Sequence, residues 1–172
     1  MFAIRCTRKL LDRGAPKPLI APVPPTTVLG DWYANIVFAR PEQLVVCISE
    51  RTLLPVIVKA KDISHLPQRV AAATAVILRE IGVPQQDADA EFAEMKEGYL
   101  ASTADRHVLG SLNDFVFHFQ HGAGSHADLS IFARTLRLAR MPCATLEYAY
   151  PTEATLAAFA ASRALKAAKS AA

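Results

Sequence analysis

Two short stretches of this chain gather side chains that can do chemistry. Leu29-Gly30-Asp31-Trp32-Tyr33-Ala34-Asn35 places a carboxylate and a carboxamide four residues apart, beside the only tryptophan. Asp31 and Asn35 against that aromatic wall could hold a small ligand or a base. The plainer alternative is that Asp31 caps a turn, Trp32 fills the core and Asn35 bonds to nearby backbone. The second stretch runs Arg106-His107-Val108-Leu109-Gly110-Ser111-Leu112-Asn113-Asp114. A serine, a histidine and an aspartate suggest nucleophilic catalysis, but that needs a base within hydrogen-bond reach of the nucleophile. No G-x-S-x-G elbow accompanies them. A turn in which Asn113 or Asp114 bonds to backbone accounts for the same residues. If the two stretches met on one face, Asp31, Trp32, Asn35, Arg106, His107, Asn113 and Asp114 would form a ligand- or partner-binding site.

Three further groups compete with that reading. His118, His121 and His126 offer imidazoles, yet their spacing matches no H-E-x-x-H pattern, so no metal is expected. Arg134, Arg137 and Arg140 recur every third residue and could meet phosphate, with Arg163, Lys166 and Lys169 further on. The same arginines also suit the solvated face of an amphipathic helix. The thiols Cys6, Cys47 and Cys143 are far apart and lack C-x-x-C spacing. They read as unpaired packing residues of a reducing cytoplasm. No cofactor is implied.

The elements that must carry these residues follow from periodicity and breakers. Phe2 to Cys6 reads as a strand, followed by a helical turn over Arg8 to Asp12 that Thr7 caps and Gly14 ends. Five prolines between Ala15 and Pro25 exclude helix or central strand there and leave an extended connection. Trp32 to Ala39 alternates as a strand, with Trp32, Ala34, Ile36 and Phe38 on one side and Tyr33, Asn35 and Val37 on the other. Gln43 to Ser49 is nearly all apolar, hence central, and pairs with it as a hairpin. Leu53 to Lys59 adds a third strand, whose Pro55 places its start at an edge.

Pro67 to Ile81 has helical spacing closed by Gly82. Asp87 to Glu97 forms an acidic amphipathic helix with Phe92 and Met95 inward, ended by Gly98, and Tyr99 to Ser102 makes a short strand. Phe115, Phe117 and Phe119 alternate, which predicts a half-buried strand over Phe115 to Gln120, entered through a helical turn or loop. Asp128 to Arg140 is a helix with Leu129, Phe132 and Leu136 inward. Leu146 to Tyr150 reads as a strand, and Thr152 caps an alanine-rich helix to about Lys169.

The 172 residues suffice for one core. Hydrophobic residues form 52% of the chain, which excludes general disorder. A net charge of +3 is too mild for a dedicated nucleic-acid binder. The start shows no signal peptide, and no window is apolar enough to span a membrane, so a cytoplasmic protein is expected. The fold expected is a single α+β domain over 1–150. Its mostly antiparallel sheet carries helices on one face, and 151–172 is a C-terminal helical extension, partly frayed.

Arg5-Cys6-Thr7-Arg8-Lys9-Leu10-Leu11, Leu29 to Asn35, Glu50-Arg51-Thr52-Leu53 and Arg106 to Asp114 occur in this order. That arrangement resembles an uncharacterised bacterial domain family of small stand-alone proteins, some of whose relatives are joined to plasmid-associated domains. The resemblance covers about Met1 to Gln120. It implies a common fold and no assigned activity, with residues after about 121 as an individual extension. The function expected is a non-enzymatic binding or regulatory module acting through a protein partner. The alternatives are a nucleic-acid accessory protein using the basic helix, or a hydrolase or transferase working through Arg106, His107 and Asp114.

Overall fold

The structure is a computed structural model that describes residues 1–13, 23–39, 41–121 and 129–170. Five strands form one sheet: β1 (Phe2–Cys6), β2 (Trp32–Ala39), β3 (Glu42–Ser49), β4 (Pro55–Lys59) and β5 (Gly98–Ser102), in the order β4-β3-β2-β1-β5. Six helices accompany them among the described residues: α1 (Arg8–Leu11), α2 (Leu66–Glu80), α3 (Gln85–Glu94), α4 (Arg106–His121), α5 (Ile131–Ala139) and α6 (Pro151–Ser170). The class is α+β. The sheet is mixed: β2 with β3 and β3 with β4 are antiparallel, whereas β1 runs parallel to both β2 and β5. The early strand Phe2–Cys6 inserts between the hairpin and the late strand. Its crossovers impose the parallel pairs.

Helices cover both faces of the sheet, not one. Trp32, Ala34, Ile36, Val45 and Cys47 pack with Leu66, Val70 and Leu78 of α2 and Ala88 of α3. Tyr33, Val37, Leu44, Val46 and Ile48 pack with Val108, Leu112, Phe115 and Phe119 of α4 and Leu138 of α5. The unbroken apolar run of β3 is the signature of a strand buried on both sides. β4 is an edge strand opening on Pro55, which needs no amide donor there.

Several local expectations are corrected. Phe115 to Gln120 is the second half of α4, not a strand. Val108, Leu112, Phe115 and Phe119 recur at i, i+4, i+7 and i+11, which is a helical stripe. Phe117, the residue that made the pattern look alternating, is 59% exposed and stacks on His121. Leu146 to Tyr150 is not a strand either. A 3-10 turn over Ala144–Leu146 leads into Glu147 and Tyr148, both left-handed. Helix α5 begins at Ile131, where Ser130 Oγ accepts from the Ala133 amide at 3.1 Å, and Phe132 is 38% exposed. Helix α6 begins at Pro151, with the Tyr150 amide donating to Glu153 Oε2, so Thr152 lies inside it. Thr7 does not cap α1 through its side chain; its hydroxyl donates to Asn35 Oδ1 at 2.9 Å. Gly14 lies outside the described residues, as does most of the proline-rich segment.

Gly98 does not end α3 but opens β5, opposite Phe2. A Cβ there would sit 2.6 Å from both Phe2 Cε1 and Pro67 Cβ, so only glycine lets β5 and α2 close on the Phe2 ring. Helix α6 docks through buried Pro151, Thr155 and Phe159. The Thr155 hydroxyl donates to Thr52 Oγ1 at 2.9 Å, and Arg163 pairs with Asp87 of α3 at 2.6 Å.

Candidate functional site

The first polar stretch is mostly built into the frame. Gly30, at φ +78°, turns the chain into β2. Asp31 is 1% exposed. Its Oδ1 accepts from the Ala3 amide at 2.9 Å, and its Oδ2 accepts from Arg5 Nε at 2.9 Å and Nη2 at 2.7 Å. The carboxylate thus fastens β1 beside the start of β2. Trp32 is fully buried in the core. Asn35 Oδ1 accepts the Thr7 hydroxyl at the point where β1 ends and α1 takes its place along β2.

The two stretches do touch. Tyr33 packs with Val108 and Leu112, and its hydroxyl accepts from the amide of Asp105, just before the second stretch, at 2.9 Å. Burial pushes the Tyr33 phenol up, against the opposing pull of the Asp105 amide and of Arg5. Asp105 Oδ1 in turn accepts from the amides of His107 and Val108 and closes the start of α4. Yet Arg106, His107 and Asn113 all stand exposed on α4. Among the described residues the two segments pack on each other, and none of the clefts seen there gathers Asp31, Asn35, Arg106 and His107.

Asp114 behaves differently. It lines a cleft of about 220 Å³ between α4 and the turn preceding α6. Ser111, Asp114, Phe115 and His118 supply one wall at i, i+3, i+4 and i+7; Pro142, Cys143, Thr145 and Tyr148 supply much of the other. The Ser111 and Thr145 hydroxyls share a hydrogen bond at 2.8 Å, and Ser111 also donates to the His107 carbonyl. The Tyr148 amide donates to the Cys143 carbonyl, and the Cys143 amide donates to the Ala149 carbonyl, so the turn is knotted on itself. Glu147 and Tyr148 take φ of 54° and 65°. Left-handed backbone at two successive side-chain-bearing residues costs roughly 1 kcal/mol or more each and tends to mark a constrained or functional segment. Here it holds Tyr148 outward, 74% exposed. Burial, then the Asp114 charge, push the Cys143 thiol up to about 11.

The remaining candidates separate. Arg134 is buried, and its charge acts on Glu42 of β3. Arg137 and Arg140 instead flank an open groove with Ala133, Leu136 and Met141. The continuous basic stripe expected on this helix is therefore broken, because a three-residue step drifts round a 3.6-residue turn. His118 and His121 ride on α4, and His126 lies outside the described residues. Among the described residues no three His, Cys, Asp or Glu side chains gather as a metal would require. Sequence reasoning missed Glu91. This carboxylate is 2% exposed and accepts from the Val28 and Leu29 amides, and burial raises its pKa. Nothing in an acidic helix pattern singles it out. Tyr148 was missed too, since its left-handed backbone has no glycine to announce it.

Fold and cleft together define an α+β domain with a mixed sheet clad on both sides and a small concave site at the α4 end. The chain belongs to the family described as a domain of unknown function, DUF6933, which matches residues 3–154. The match takes in α5 and the turn bearing Tyr148, so the family region does not stop near residue 120. No curated protein and no solved structure matches the chain.

Proposed function

We propose that this domain is a non-enzymatic binding module that seats a side chain of a protein partner in the cleft between α4 and the turn at 141–148. The carrying observation is the cleft itself, with Asp114 and His118 on one wall and Tyr148 held out at its lip. Its volume of about 220 Å³ lies below the roughly 300–1,000 Å³ of pockets that enclose a whole small molecule, and suits a single protruding side chain. Tyrosine at the lip, and exposed Phe117 edge-on to His118, are residue types enriched where proteins meet. Catalysis is less well supported. Ser111 is tied to a carbonyl and to Thr145 in place of a base, and the Cys143 thiol stays protonated at neutral pH. We place the module in the cytoplasm, a reading supported by its three free thiols. No described helix is long and apolar enough to cross a membrane.

The test is retention of a partner from host lysate on the immobilised protein. Wild type and Asn113→Ala, an exposed neighbour that does not line the cleft, should retain the same partner. Tyr148→Ala and Asp114→Ala should lose it while melting at the wild-type temperature. Equal retention by all four proteins, or none by wild type, overturns the reading.

A further inference from the structure

We infer that the end of the molecule formed by α1 and the β2–β3 hairpin binds single-stranded nucleic acid, with Phe38 as a stacking platform and Arg8, Lys9 and Arg13 as phosphate contacts. The surface is distinct from the α4 cleft. β2 runs past the end of β1, so its last residues lose their parallel neighbour and α1 lies alongside them, anchored by Leu10 at 0% exposure. Phe38 shares its face with Trp32 and Ile36 but sits beyond the helical cover, 46% exposed. Lys9 Nζ lies 5.0 Å and Arg13 Cζ 5.1 Å from the centre of its ring.

Lys9 and Arg13 are positioned over the Phe38 ring, and Arg8 opens the same helix. Arg13 Nη1 donates to Gln43 Oε1 at 2.7 Å, which fixes its side chain against β3. Among the described residues no carboxylate pairs with Arg8, Lys9 or Arg13. Glu42, the hairpin's own acid, is paired with Lys59 at 2.7 Å, and Asp12 caps the end of α1.

An exposed ring among cations is the arrangement that reads a strand without sequence preference: bases stack while phosphates meet the charges. Stacking of a base outweighs an exposed cation–π contact, so a base can displace one cation from the ring and release it to the adjacent phosphate. An acidic peptide would use the charges but leave Phe38 without a role. An anionic membrane would call for more than one apolar anchor.

The probe is a fluorescein-labelled oligothymidylate of about 12 nucleotides, followed by anisotropy against salt. Three phosphate contacts on a single strand predict a log–log salt slope of about −2, or roughly a 20-fold loss between 50 and 200 mM. Phe38→Ala should weaken binding about tenfold and Phe38→Trp should at least preserve it. Lys9→Glu with Arg13→Glu should abolish it, whereas Arg137→Glu with Arg140→Glu should leave it unchanged. The inference is overturned if wild type fails to bind at 50 mM salt, if Phe38→Ala binds as wild type does, or if Arg137→Glu with Arg140→Glu weakens binding as much as Lys9→Glu with Arg13→Glu. Equal competition by polyglutamate or by phosphatidylserine vesicles overturns it as well.

Discussion

Replacing Asp31 separates a structural from a ligand-binding role for the most conspicuous polar residue in the chain. Asp31→Ala leaves the Arg5 guanidinium, whose side chain is 12% exposed, without its carboxylate. It also leaves the buried Ala3 amide without an acceptor. Breaking one side of a buried ion pair costs about 3–5 kcal/mol, of which the orphaned amide accounts for roughly 1–3. Against a typical total of roughly 5–15 kcal/mol, that is a large share of stability. With a urea slope of roughly 2 kcal/mol per molar, the unfolding midpoint should fall by about 2 M. The emission of Trp32, fully buried and the only tryptophan, reports the transition without a label. The double variant Arg5→Met, Asp31→Leu removes the stranded charge and should recover part of the loss, keeping the cost of the Ala3 amide. A midpoint drop under about 0.5 M for Asp31→Ala would refute the reasoning, as would a double variant no more stable than the single.

Four further outcomes are expected. Gly98→Ala drives a methyl into Phe2 and Pro67 and should destabilise the fold by about 1–3 kcal/mol, measured by the same urea transition; an unchanged midpoint would show that β5 can shift away. Cys143, held protonated by burial and by Asp114, should react with iodoacetamide at pH 7.5 about a hundredfold slower than a free cysteine. Asp114→Asn should speed that reaction, and an unaltered rate would count against the electrostatic coupling. Asp62 is drawn down to about 2, first by the Ser64 hydroxyl, then by His65 and the Ser64 amide. Its folded value lies below its ordinary 3.8, so its contribution is present above 3.8 and disappears as pH falls through about 2. Carboxyl NMR titration should show Ser64→Ala returning it toward the ordinary value. Glu91 has the opposite sign: burial raises its folded pKa above 4.5, so its contribution is full below 4.5 and declines as pH rises through the folded value. Urea midpoints of wild type and Glu91→Gln should therefore diverge across that range, and parallel pH profiles would contradict it.

Local chemistry in the chain was enough to place most elements. The hairpin, the edge strand behind Pro55 and the α2 helix closed by Gly82 rest on side-chain alternation, proline and glycine, which act within a few residues. The apolar run of β3 marked it as central, but cover on both of its faces came only with the packing of α2 on one side and α4 on the other. Helix α4 could not be separated from a strand by its aromatics, because Phe115, Phe117 and Phe119 satisfy a period of two as readily as Phe115 and Phe119 satisfy a helical step. Only the packing of Val108 and Leu112 on the sheet decides between them. The candidate site depended on the tertiary fold more strongly still. Asp31 and Asn35 have the residue types of a binding site, yet parallel insertion of β1 delivers Arg5 and Thr7 to them and turns them into fasteners. Asp114, Cys143 and Tyr148 become neighbours only when α4 and the turn before α6 close on each other, since contacts spanning some thirty residues are set by long-range packing and not by local preference.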